Sequence, residues 1–311
     1  MKPFATLAPF AREFAPRRGD ERRNRAANFT IFAYDSNPTG TGERTPIVLV
    51  HGLGDEADSW RHVFAPLAAD RRVVAPDLPG FGRSRARTRG CRRDRANLAL
   101  HAKAILSVLY ETGPAILVGS SLGAAVMELV AFERPDLTRA LVFVDGGLPS
   151  GSKASPALLL SLMPFVGKRG YRAYRRDHDA AYQSLEPYYS SLAGLPEKDR
   201  AFLRERVIDR VESDAQMNAY FSSFRSYVAT AAYRASRFTR GLSALTARGV
   251  PMLAIWGDAD HIIPIGSLDA LAAATPSLER SVIAGAGHLP HQERPKETVD
   301  AITAFLKRHS L

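Results

Sequence analysis

The chain has 311 residues, 45% of them hydrophobic and 24% charged, a composition that excludes intrinsic disorder and suits a folded protein with a large core. A single cysteine, Cys91, excludes an internal disulfide framework and any multi-cysteine metal site. No apolar run reaches the ~18 residues of a membrane-spanning helix; the longest, Ala157–Gly167, is broken by Ser161 and Pro164. The net charge of +10 comes from two stretches, residues 1–25 and the arginine-rich run 83–95. Neither matches a nucleic-acid-binding motif or interleaves with stacking aromatics, so two solvated surface segments and no nucleic-acid partner are expected.

At the N-terminus, Pro3, Pro9 and Arg12 interrupt any apolar core of a secretory signal, so a soluble cytoplasmic protein is expected. Phe4, Leu7, Phe10 and Phe14 fall at near-helical spacing, which suits packing on the segment 148–246 or lying on a membrane surface. A strand is expected at Phe29–Tyr34, near a sheet edge. Short runs rich in Val, Ile and Leu then alternate with helical patterns. Ile47–Val50 precedes a helix carrying Trp60, Val63, Phe64 and Leu67. Arg72–Ala75 precedes one carrying Leu98, Ile105 and Leu109. Ala115–Val118 precedes a helix starting near Leu122, and Ala140–Val144 follows it. Met252–Trp256 and Ser281–Ala284 each precede a further helix, around Leu268–Ala273 and Val299–Leu306. Continuous apolar strands between amphipathic helices predict an α/β protein whose mainly parallel, doubly wound sheet is covered on both faces. Residues 148–246 differ: they open on a Pro/Gly/Ser stretch, Leu148–Pro156, show helical patterning only, and hold eight of the ten tyrosines. They read as a helical insertion between two strands.

The strongest local pattern is Gly119-Ser120-Ser121-Leu122-Gly123, between an apolar strand and a helix. A serine on such a turn is held strained and exposed, and the helix start offers unpaired N–H groups to a developing oxyanion. The Gly-x-Ser-x-Gly spacing centres on Ser121 rather than Ser120. A serine nucleophile needs a base and an orienting acid. His288, in Gly285-Ala286-Gly287-His288 beyond a strand, is favoured as base over His291. Asp260 is ranked first as acid, then Asp145, then Asp258, each on a loop after a strand. His51-Gly52-Leu53-Gly54 follows another strand, where the Leu53 N–H would pair with that of Leu122 in an oxyanion hole and His51 would order the loop. The loop Asp77–Ser84 reads as structural.

Together HGLGDEADSW, PDLPGFGRS, VGSSLG, WGDADHIIP and GAGHLPHQERP, in this order, resemble the cap-bearing α/β-hydrolases, in the esterase/lipase-like branch. The resemblance implies Ser121 as nucleophile, Asp260 as acid, His288 as base, and Leu53 and Leu122 as oxyanion-hole donors. It implies a core of residues 26–147 and 247–311, a cap of residues 148–246 inserted after the family's sixth strand, and residues 1–25 as a basic extension outside the match. The expected activity is hydrolysis of an apolar acyl or aryl carboxylic ester through an acyl-enzyme, with no metal or organic cofactor and a small molecule as the partner. The alternatives are a lactone or carbon–carbon-bond hydrolase on the same residues, or a ligand-binding receptor with little turnover. Serine at the elbow, where haloalkane dehalogenases and epoxide hydrolases carry aspartate, sets those activities aside.

Overall fold

The computed structural model describes residues 1–14, 27–37, 44–88, 97–147 and 164–311. Cys91, positions 89–95 of the arginine-rich run, residues 15–25 of the basic extension and the Leu148–Pro156 opening of the insertion lie outside the described residues, as does most of the Ala157–Gly167 run.

The strands are β1 (Ala11–Phe14), β2 (Ala27–Asp35), β3 (Ile47–Val50), β4 (Val73–Pro76), β5 (Arg85–Thr88), β6 (Ala115–Ser120), β7 (Thr138–Val144), β8 (Met252–Gly257) and β9 (Glu279–Ile283). They form one sheet in the order β1-β2-β4-β3-β6-β7-β8-β9, with β5 pairing β2. From β4 to β9 every pairing is parallel, while β2 is antiparallel to β1, β4 and β5. The central strands β3, β6 and β8 are buried at every residue, as a sheet covered on both faces requires. Alternate side chains feed two cores. Val48, Val50, Leu117 and Phe143 join one core with helices α2 (Leu98–Thr112) and α3 (Leu122–Glu133). Ile47, Leu49, Ile116 and Val142 join the other with Trp60, Phe64 and Phe305.

The strand expected near the sheet edge at Phe29–Tyr34 is β2, one in from β1. The insertion follows β7, sixth along the sheet from β1, with β5 off that path. Other elements differ from the sequence reading: β1 and β5 are too short and polar to show a strand pattern. The helix expected from Trp60 to Leu67 is a 3-10 turn, Ala57–Trp60, and a single turn, α1 (Phe64–Leu67); Pro66 cannot supply an N–H to a longer helix. The near-helical spacing at the N-terminus becomes a 3-10 turn at Ala8–Phe10 followed by β1.

Between β7 and β8 the described chain is helical: α4 (Pro164–Ala173), α5 (His178–Gln183), α6 (Glu197–Glu212), α7 (Asp214–Ala229) and α8 (Ala231–Ala247). Polar links tie this layer to the sheet domain. Arg61 pairs with Asp199 at 2.9 Å, and Arg210 pairs with Asp55 and Glu56 at 2.6 and 2.8 Å. The N-terminus bridges both parts: the Phe4 ring meets Phe202 edge-on at 5.0 Å, and Arg206 donates to the Lys2 carbonyl at 3.1 Å. Helices α9 (Gly266–Ala274), α10 (Pro290–Glu293) and α11 (Pro295–Arg308) complete the fold. Among the described residues no helix is long and apolar enough to cross a membrane.

Candidate active site

The chain runs from β3 to β4 on one side and returns through β6 on the other. Such a reversal opens a crevice at the carboxyl ends of the two strands. His51-Gly52-Leu53-Gly54 leaves β3 there, and Ser121 leaves β6. The loops after β7, β8 and β9, carrying Asp145, Asp260 and His288, sit along the same edge.

Ser121 lies at φ 52°, ψ −115°, directly before helix α3. For a residue with a Cβ this conformation costs on the order of 1–3 kcal/mol and persists only where the surroundings impose it. Here they do. A Cβ on Gly119 would fall 2.7 Å from the Ala124 nitrogen, and one on Gly123 would fall 2.2 Å from the Val50 carbonyl oxygen. Only glycines let helix α3 start this close to β3 and β6. The Ser121 N–H is anchored on the Val144 carbonyl at 3.0 Å. Ser120, the competing hydroxyl, is fully buried, with no hydrogen-bond partner for Oγ among the described residues.

A Cβ on Gly52 would stand 3.3 Å from Ser121 Cβ, so the His51–Gly54 loop passes against the serine. The Leu78 N–H donates to His51 Nε2 at 2.8 Å, which leaves the proton on Nδ1 to donate to the Gly52 carbonyl at 2.8 Å. Full burial holds the His51 pKa below its ordinary value, and the ring braces the loop as expected. Asp77 has the structural part foreseen for its loop: it accepts from the Ala57 N–H and from Arg83. Arg83 itself departs from the expected solvated face, being largely buried between Asp77 and Asp58. Among the described residues the N–H groups of Leu53 and Leu122 meet no protein acceptor.

Asp260 Oδ2 accepts from His288 Nδ1 at 2.8 Å, with both side chains buried. Its other oxygen accepts from the N–H groups of Ile262 and Ile263, at 2.7 and 2.9 Å. Those donors fix the carboxylate, and the carboxylate orients the imidazole. The rivals are otherwise engaged. His291 lies against Trp60 and bonds Ser59 Oγ at 2.8 Å; burial depresses its pKa to about 3. Asp258 is exposed and accepts from the Gly285 N–H, making a turn. His62 pairs with Asp199, and His261 is exposed. Asp145, by contrast, is fully buried beside the pair: one ligand atom each of Asp145, Asp260 and His288 lie within 4.8 Å of one another. That spacing is one a metal ion could use. Because the Asp260–His288 bond already joins two of the three, the cluster reads as a hydrogen-bonded set.

Residues that the sequence reading passed over frame the site. Glu293 accepts from the Gly287 N–H at 2.7 Å and from the Ser190 N–H at 2.8 Å, bracing the His288 loop against the insertion. The His288 N–H donates to the Tyr188 carbonyl at 3.0 Å, and the Tyr188 ring stands 6.0 Å from the imidazole. The Tyr220 ring lies close to Gly54, 3.0 Å from where a Cβ would be. Tyr171 and Phe221 pack against Tyr220 at 5.9 and 5.3 Å. The only hint of these contacts in the sequence is the tyrosine enrichment of the insertion.

The model of the Alpha/beta hydrolase family matches residues 47–301. An uncharacterized protein of Mycobacterium tuberculosis is 26% identical over 326 residues, covering 98% of this chain and 84% of that protein. A 2-hydroxy-6-oxononadienedioate/2-hydroxy-6-oxononatrienedioate hydrolase of Burkholderia vietnamiensis is 27% identical over 278 residues, covering 88% and 90%. Among solved structures, a thermophilic esterase from Thermogutta terrifontis superposes with a TM-score of 0.70 at 22% identity, covering 96% and 98%. With most of its length inside the family model and the same layered fold, the chain belongs to the alpha/beta hydrolase family.

Proposed function

We propose that the chain is a serine hydrolase of carboxylic esters, with Ser121 as nucleophile, His288 as general base and Asp260 as its orienting acid. The observation that carries this reading is the buried 2.8 Å Asp260–His288 bond on the sheet edge where Ser121 is held strained at the start of α3. His288 takes the Ser121 proton as Oγ attacks the ester carbonyl, and Asp260 stabilises the imidazolium that forms. The free N–H groups of Leu53 and Leu122 receive the oxyanion. The alcohol leaves with the proton from His288, which then activates water to release the acid. Helices α4 to α8 act as a cap, and Tyr188 beside His288 and Tyr220 beside Gly54, with Tyr171 packed on Tyr220, bring aromatic rings to the site that suit an apolar acyl or aryl group. The similarity to the Burkholderia vietnamiensis hydrolase supports a second reading, cleavage of an activated carbon–carbon bond by the same residues.

The test is hydrolysis of chromogenic acyl esters of graded chain length by the wild type and Ser121→Ala, with labelling by an organophosphonate. Ester turnover and labelling that both vanish in the variant are the expected result. Undiminished turnover in Ser121→Ala, or a wild type inert to both, overturns the reading.

A further inference from the structure

Asp145 is a buried carboxyl group for which the mechanism above has no use. Its backbone N–H donates to the Ile255 carbonyl at 3.0 Å, and its Oδ1 accepts from the Gly257 N–H at 2.9 Å. Its Oδ2 is buried with no donor in reach among the described residues. A buried polar atom without a partner costs on the order of 1–3 kcal/mol, so it needs an explanation. The side chain is within hydrogen-bonding reach of Asp260 and close to His288. Two carboxylates cannot bond each other, but a carboxylic acid can donate to a carboxylate.

The donor inventory decides which of the two holds the proton. Asp260 receives three hydrogen bonds, from Ile262, Ile263 and His288. Asp145 receives one, from Gly257. The other acidic group facing it, Glu293, is satisfied by Gly287 and Ser190. We propose that Asp145 and Asp260 share a single proton, that Asp145 holds it on Oδ2 and donates it to Asp260, and that Asp145 thereby acts as a positioning residue for the acid that orients His288. Burial, then the Asp260 charge, push the Asp145 pKa well above the ordinary carboxyl range, in keeping with this geometry. The positioning role rests on the serine-hydrolase reading; the shared proton does not.

Two readouts test the proposal. The first needs no turnover. At neutral pH the infrared spectrum of the wild type should contain a protonated-carboxyl C=O stretch that is lost in Asp145→Asn and shifted in Asp260→Asn, where the carboxylate that accepts the proton is gone. A spectrum in which Asp145→Asn removes no such band, or Asp260→Asn leaves it unshifted, overturns the shared proton, whatever reaction the protein catalyses. The second is kinetic. Asp145→Ala should lower kcat with KM little changed, and Asp145→Asn, which restores a donor, should recover most of it. An Asp145→Ala variant with unchanged kcat, or no recovery in Asp145→Asn, overturns the positioning role. Failure of the serine-hydrolase reading is separately visible as ester turnover that survives in Ser121→Ala.

Discussion

Arg210, on helix α6, forks onto Glu56 at 2.9 and 2.8 Å and reaches Asp55 at 2.6 Å, tying the helical insertion to the loop that carries Leu53. Glu56 is fully buried and Arg210 nearly so. Burial opposes a charged Arg210, yet the two carboxylates raise its pKa and keep it an ion. Removing one partner of such a pair strands the other, at a cost of about 3–5 kcal/mol. Arg210→Met should therefore lower the unfolding free energy by that much, read as an earlier urea midpoint, and loosen the Leu53 loop, with a fall in kcat. Arg210→Lys should recover little, because a single ammonium cannot make the fork. An Arg210→Met protein as stable and active as the wild type would remove the tie from the account.

The strain at Ser121 predicts a trade between stability and activity. Glycine adopts φ 52° freely, so Ser121→Gly should stabilise the fold by about 1 kcal/mol while abolishing turnover. Ser121→Ala, which keeps the Cβ, should lose turnover without the gain. Thermal unfolding of the two variants side by side separates backbone strain from chemistry.

Gly123→Ala should be severe. The added Cβ would meet the Val50 and His51 carbonyl oxygens at 2.2 and 2.7 Å, and both belong to backbone that cannot yield cheaply. A loss of about 1–3 kcal/mol or more is expected, with displacement of the His51 loop and a fall in kcat larger than stability alone explains. Unfolding curves and kinetics at a temperature where the variant stays folded make the check.

His101 is buried against Ser223, and burial lowers its pKa to about 3. The unfolded chain therefore binds one more proton than the native state between the folded value and the ordinary histidine value, about 6.5. Stability rises with pH across that window and falls as pH drops through it, by about 1.4 kcal/mol per unit. Glu128 acts with the opposite sign, since burial raises its pKa. The effect is best read as a difference: His101→Gln should gain on the wild type as pH falls from about 6 to about 4. A gap independent of pH would mean that His101 is protonated in the native state.

What could be read from the chain and what could not divide along physical lines. The parallel sheet was legible because strands buried on both faces are continuous apolar runs, as in Ile47–Val50 and Ala115–Val118. The elbow was legible because two backbone approaches exclude every Cβ at Gly119 and Gly123, so the constraint is written locally. Strands β1 and β5 escaped notice because short strands with arginines on them look like solvated surface; their pairing with β2 supplies the missing stabilisation. Arg83 was read as part of a charged face because charge in a sequence carries no sign of burial. Its partners Asp58 and Asp77 sit 25 and 6 residues away.

The sequence by itself determined the layered α/β architecture, the position of the strained serine, and a short set of acids and histidines on strand-end loops, because each depends on residues adjacent in the chain. Only the tertiary structure decided that Asp260 meets His288, that His291 is walled in by Trp60 and Ser59, and that Asp145 lies against the pair with an oxygen unsatisfied. Those outcomes depend on which loops the sheet order brings together, and that order is set by packing both faces of the sheet rather than by any local signal.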